Sequence, residues 1–146
     1  MHWPLLTAVL FAAPAPAEDK KKDEELIQGT WTVVSREMAG KKTPDAEIKA
    51  WPKWIIKDGT ITADDGKKKE VIPYKLDPSK KPKAIDLTME LAIDGKGKKT
   101  YPYIYELDGD TLKLCWSEKD PDHRPTEFTG KEDSGQTLMV LKRAKK

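Results

Sequence analysis

The chain has 146 residues, with 27 Lys and Arg against 25 Asp and Glu, one Cys and a net charge of +2. Its lysines crowd into turn regions (Lys20–Lys22, Lys67–Lys69, Lys80–Lys81) and alternate with acids, which excludes the one-sided basic face that nucleic acid requires and discourages edge-to-edge strand pairing. A single cysteine excludes any internal disulfide, so a hydrophobic core alone must hold the fold.

Residues 1–17, "MHWPLLTAVLFAAPAPA", contain no Asp, Glu, Lys or Arg, whereas the next seven, "EDKKKDE", are all charged. An apolar run from Trp3 to Ala13, followed by small residues at the −3 and −1 positions of Ala15-Pro16-Ala17, predicts a signal peptide cleaved after Ala17. The run is shorter than the ~20 residues that span a bilayer, so no transmembrane anchor is expected in the mature chain. The predicted organisation is a signal peptide (1–17), a charged N-terminal segment (18–25) and one domain (26–146). Its expected location is extracytoplasmic, periplasmic or secreted.

Asp-Gly recurs at Asp58-Gly59, Asp65-Gly66, Asp94-Gly95 and Asp108-Gly109, each flanked by β-prone residues. The pair favours the positive φ angles of tight hairpin turns. Between these turns the sequence predicts strands over 30–37, 53–57, 60–64, 70–76, 84–90, 99–107, 111–116 and 137–143, with 126–130 as an extra piece. Residues 45–51 predict two helical turns ended by Pro52, and 23–28 a second short one. Pro73 and Pro102 cannot donate a ladder hydrogen bond and are expected at edges or bulges. Period-two alternation is clearest in the hairpin 99–116, where Tyr101, Tyr103, Tyr105 and Leu107 share one face and Leu112, Leu114 and Trp116 share another. The expected fold is all-β: a small antiparallel up-and-down β-barrel of about eight strands with one or two short helices, the alternative being an open sandwich.

"LIQGTWTVVS" (26–35) carries a Gly-x-Trp pattern at its first strand, and "LKR" (141–143) ends the last strand on Arg143. The pair resembles the calycin signature, which implies that Arg143 lies across Trp31 and closes one end of the barrel. "LIQGTW", "PKAIDLT" (82–88), "YELDGDTLKLCW" (105–116), "RPTEF" (124–128) and the terminal "LKR", in this order, resemble an uncharacterised, usually exported lipocalin-like domain family of planctomycete bacteria. That resemblance implies a calycin-like barrel outside the cytoplasm and no assigned reaction, ligand or catalytic residue.

Candidate chemistry is sparse. Cys115 reads as a buried small hydrophobe, an intermolecular disulfide partner or a nucleophile paired with His123, yet no motif supplies an orienting or oxyanion-stabilising group. Alternation sends Cys115 to the outer face, so the sequence predicts a cover for it: the helix at 45–51 or "RPTEF" folded back and anchored by Arg124, with Pro125 stiffening its exit. Asp120, Asp122 and His123 read as a solvated loop rather than a metal site, and Glu106 with Asp108 as ordinary acids at a hairpin end. No catalytic residue, metal site or cofactor is expected. Trp31, Tyr101, Tyr103, Tyr105 and Trp116 are candidate cavity-lining aromatics, the alternative being plain core packing. The functional expectation is a non-enzymatic binding module taking a small apolar ligand inside the barrel or an envelope protein partner at its rim. The alternatives are a packed interaction domain without a cavity, or an enzyme using Cys115 and His123.

Overall fold

The computed structural model describes residues 16–90 and 97–144. Residues 1–15, which hold most of the proposed signal peptide, and the Asp94-Gly95 turn lie outside the described residues. In chain order the elements are α1 (Pro16–Leu26), β1 (Gly29–Met38), β2 (Lys41–Lys42), α2 (Asp45–Lys49), β3 (Trp54–Lys57), β4 (Thr60–Asp64), β5 (Lys69–Asp77), β6 (Ala84–Glu90), β7 (Lys98–Asp108), β8 (Thr111–Ser117) and β9 (Gln136–Arg143).

Every neighbouring pair is antiparallel, and β9 returns to pair with β1 from Thr137↔Met38 down to Arg143↔Trp31. The result is a closed eight-stranded up-and-down barrel, with β2 a two-residue appendage on β1. The residues 126–130 form no strand and belong to the long β8–β9 connection.

Turn chemistry sets the register. Asp58 (φ 49°) and Gly59 (φ 80°) are the central residues of the β3–β4 turn, both left-handed as a twist-matched two-residue hairpin demands. At the β7–β8 turn the central pair is instead Gly109-Asp110, with positive φ at Gly109 (58°) and not at Asp108, because β7 runs one residue longer than the Asp-Gly motif suggests.

Alternation then fills the lumen with Trp31, Val33, Ile56, Ile61, Ile72, Tyr74, Leu76, Ile85, Leu87, Tyr105, Leu112, Leu114 and Leu141, all buried. A register shift between Val33 and Ser35 leaves Val34 exposed as a bulge and sets Arg36 opposite Met139. Directly opposed residues share a face, so the bulge turns Arg36 toward the interior side at the upper end of β1.

α1 and Arg143 close the lower end. The Trp31 indole N–H donates to the Ile27 carbonyl (2.8 Å), and the Arg143 guanidinium carbon lies 4.4 Å from the indole centroid. Arg143 also donates to the carbonyls of Gln28 (2.7 Å) and Leu26 (2.8 Å), so one side chain joins the last strand to the end of α1. A Cβ on Gly29 would sit 2.7 Å from Arg143 Nη1, and the φ of Gly29 is +135°. The glycine of the Gly-x-Trp motif is therefore required by the arginine at the opposite end of the chain. α1 joins this closure through Asp23, which is 6% exposed and accepts from Tyr105 inside the barrel base.

At the upper end α2 packs Ile48 into the core, and Trp51 just beyond it stacks under Arg36 at 4.7 Å. No helix among the described residues is long and apolar enough to cross a membrane.

Pro73 and Pro102 occupy neither a sheet edge nor the β1 bulge. Pro73 pairs with Thr60 at the lower end of β4. Pro102 pairs with Asp86 on one side, while on the other the β7–β8 ladder stops at Ile104↔Cys115, below it. The missing donor is thus tolerated because the ladder has already ended there.

Candidate functional site

The end of the β7–β8 ladder has a consequence for the upper barrel. Above Ile104, the carbonyl of Tyr103 accepts from Arg124 Nη1 (2.7 Å). Arg124 Nη2 at the same time binds Asp86 Oδ1 at 2.7 Å. Arg124 therefore clips the long β8–β9 connection onto the outer wall, between β6 and β7, through a half-buried charge-assisted pair.

Behind that clip the connection covers the wall. Pro125 and Gly130 are buried, and Ala84, Ile104 and Cys115, which face away from the lumen, are 2%, 0% and 0% exposed. β7 around Ile104 and β8 around Cys115 are consequently buried on both faces. Cys115 Sγ lies 3.5 Å from the carbonyls of Glu127 and Thr129, and the Gln136 side-chain amide donates to it at 3.4 Å. Burial raises the thiol pKa and keeps it protonated, outweighing the two polar contacts that act the other way. His123 is exposed, its backbone turned onto Asp120, and is not a hydrogen-bond partner of Cys115. The thiol thus has carbonyls and an amide around it, and no base that would make a thiolate.

A pocket of about 430 Å³ opens in the upper mouth, lined on its apolar side by Met89, Tyr101, Tyr103 and Trp116 and on its polar side by Glu70, Glu90 and Glu118. Tyr103 and Trp116 stack with centroids 4.9 Å apart and planes 14° from parallel. The Trp116 indole N–H donates to Glu118 Oε1 (2.7 Å), which also accepts from the fully buried Thr137 hydroxyl (3.0 Å). Burial first, then the charges of Glu118 and Glu70, drives the Tyr103 phenol pKa well above its usual value, so the hydroxyl stays a neutral donor.

Of the five candidate lining aromatics, the structure brings together Tyr101, Tyr103 and Trp116. Trp31 and Tyr105 lie outside the pocket: Trp31 is fully buried in the base and Tyr105 is tied to Asp23. Space there is taken by side chains from every strand, which makes the lower barrel core. Met89, Glu70, Glu90 and Glu118 join the site from the upper ends of β5, β6 and β8, which with β7 stand side by side in the meander. Their signal in the sequence is position alone, each lying at an upper end of its strand or just past it.

The other acid clusters are engaged at the surface. Asp122 pairs with Lys99 (2.9 Å), and Glu106 faces Lys113 at 3.9 Å. Among the described residues no group of three His, Cys, Asp or Glu is placed to hold a metal ion. No family model, curated protein or solved structure matches the chain.

Proposed function

We propose that the protein is an exported, non-enzymatic binding module that takes a small molecule with an apolar body at the mouth of its barrel. The observation that carries this reading is the pocket of about 430 Å³ at Met89, Tyr101, Tyr103 and Trp116, within the ~300–1,000 Å³ typical of small-molecule sites. The lower lumen is filled, so the ligand sits in the mouth and not in the depth of the barrel. A non-enzymatic role is supported by the chemistry around Cys115, which is buried, protonated and without a base. Export rests on the apolar run ending at Ala17 and the abrupt onset of charge at Glu18. Kinship with the exported lipocalin-like domains rests on the five quoted motifs and belongs to the same proposal.

Native mass spectrometry of the purified chain is expected to reveal a co-purifying small molecule, lost on Trp116→Ala. A chain that carries nothing, and whose melting midpoint no small molecule raises, would favour the second reading, a packed interaction domain. That reading draws on the filled lower barrel and would place the partner contact on the rim.

A further inference from the structure

We infer that the mouth pocket selects organic cations, with the aromatic or alkyl body of an amine against Met89 and the Tyr103–Trp116 stack and its ammonium toward Glu118, Glu70 and Glu90. This rests on the reading of the mouth as a ligand site and adds the charge of the ligand to it.

The lining is chemically one-sided. Three of its residues are glutamates and none is Lys, Arg or His, in a chain whose basic residues outnumber its acids, 27 to 25. The three glutamates are solvent-exposed at one rim, so a carboxylate ligand would meet three like charges, partly screened, and a neutral one would gain nothing from them. An ammonium gains twice, from the carboxylates and from the negative faces of the aromatic rings.

The site is also held ready. Glu118 is fixed by two hydrogen bonds from its own barrel, from the Trp116 indole and from buried Thr137, and Trp116 is fixed in turn by its stack on Tyr103. Charge and ring are therefore positioned relative to each other before a ligand arrives, which lowers the ordering cost of binding. Of the basic groups near the mouth among the described residues, Lys98 lies opposite Glu90 across β6 and β7, while Lys99 and Arg36 are already engaged. Lys99 Nζ lies 5.4 Å from the Tyr101 ring centroid and is bound by Asp122 at 2.9 Å, and Arg36 stacks on Trp51 and donates to Thr43. Lys99 illustrates that a mouth tyrosine accepts an ammonium in this geometry.

Three probes of equal body and different charge test the inference by isothermal titration of the full chain: tryptamine, tryptophol and indole-3-propionate. Tryptamine should bind roughly tenfold tighter than tryptophol, as one charge-assisted contact gives, and indole-3-propionate more weakly than either. Glu118→Gln and, as a variant outside the hydrogen-bonded set, Glu70→Gln should each weaken tryptamine by several-fold, about the scale of one partly screened contact, and by more than they weaken tryptophol. Equal affinity for tryptamine and tryptophol, or insensitivity of tryptamine to both substitutions, would overturn cation selection and leave an apolar site standing. Binding by none of the three would overturn the mouth as a ligand site together with this inference.

Discussion

Tyr105 donates its phenolic hydrogen to Asp23 Oδ2 across 2.6 Å, and Lys83 reaches the same oxygen at 3.0 Å. A tyrosine from the middle of β7 thereby holds α1 across the base of the barrel, with the carboxylate 8% exposed. Tyr105→Phe leaves Asp23 with Lys83 as its remaining partner, and Asp23→Asn removes the charge that both groups bind, so each should cost about 1–3 kcal/mol in urea unfolding. The double substitution should cost less than the sum, since the two act on one bond.

Stability should decline at alkaline pH. The folded-state pKa values of Cys115, Tyr74, Tyr103 and Tyr105 are all raised, burial being the largest cause in each, from ordinary values of 9.0 for the thiol and 10.0 for the phenols. Above those values the unfolded chain loses protons that the folded chain keeps. Stability is fully present below about pH 9 and falls as pH rises, each group adding up to about 1.4 kcal/mol per pH unit. Urea titrations from neutral to strongly alkaline pH should show the fall, and Tyr105→Phe should make it shallower. A flat profile would contradict the burial of these groups.

Gly29 and Arg143 should behave as one unit. Arg143→Ala loses the stack on Trp31 and the carbonyls of Leu26 and Gln28, for an expected cost of about 1–2 kcal/mol. Gly29→Ala forces a methyl to within 2.7 Å of Nη1 at a φ of +135°, for a cost of about 1–3 kcal/mol. In the double substitution the steric part of the glycine effect disappears with the guanidinium, so the melting midpoint should fall by less than the two single losses combined.

Cys115 should react slowly with a bulky maleimide in the native state and quickly in denaturant. Arg124→Ala releases the clip to Asp86 and Tyr103 and should speed native labelling roughly tenfold, as the loss of about 1.5 kcal/mol of charge-assisted bonding would. Labelling at the denatured rate, with a depressed thiol pKa that rises on His123→Ala, would restore the cysteine–histidine site.

The barrel was legible in the sequence where one rule acted alone. Asp58-Gly59 fixed a two-residue turn, and period two from Tyr101 to Trp116 fixed which side chains enter the lumen. α1 was legible only in its last turn because it has no apolar stripe. Its signal lay in opposite charges at i, i+4, Lys20 with Glu24 and Lys21 with Glu25, and in Ile27 just past its end. The outward burial of Ile104 comes from a connection folded back by Arg124, which alternation cannot register. The acidic half of the mouth pocket was not legible because Glu70, Glu90 and Glu118 are separated along the chain, on β5, on β6 and past β8, and alternation does not say which strand ends curl round one mouth.

Closure also dictates when this protein is able to fold. Gln28 and Arg143 are 115 residues apart in the chain, and β1 has no partner along its upper half except β9 and the two residues of β2. The contact order is therefore high, and the entropic cost of joining first strand to last falls late on the folding path. A chain emerging from a ribosome or a translocation channel holds β1 as an unsealed edge until the eight residues of β9, Gln136–Arg143, are free. Loss of those residues would leave β1 and β8 as open edges that β9 otherwise covers, turning a closed cylinder into a template for strand addition.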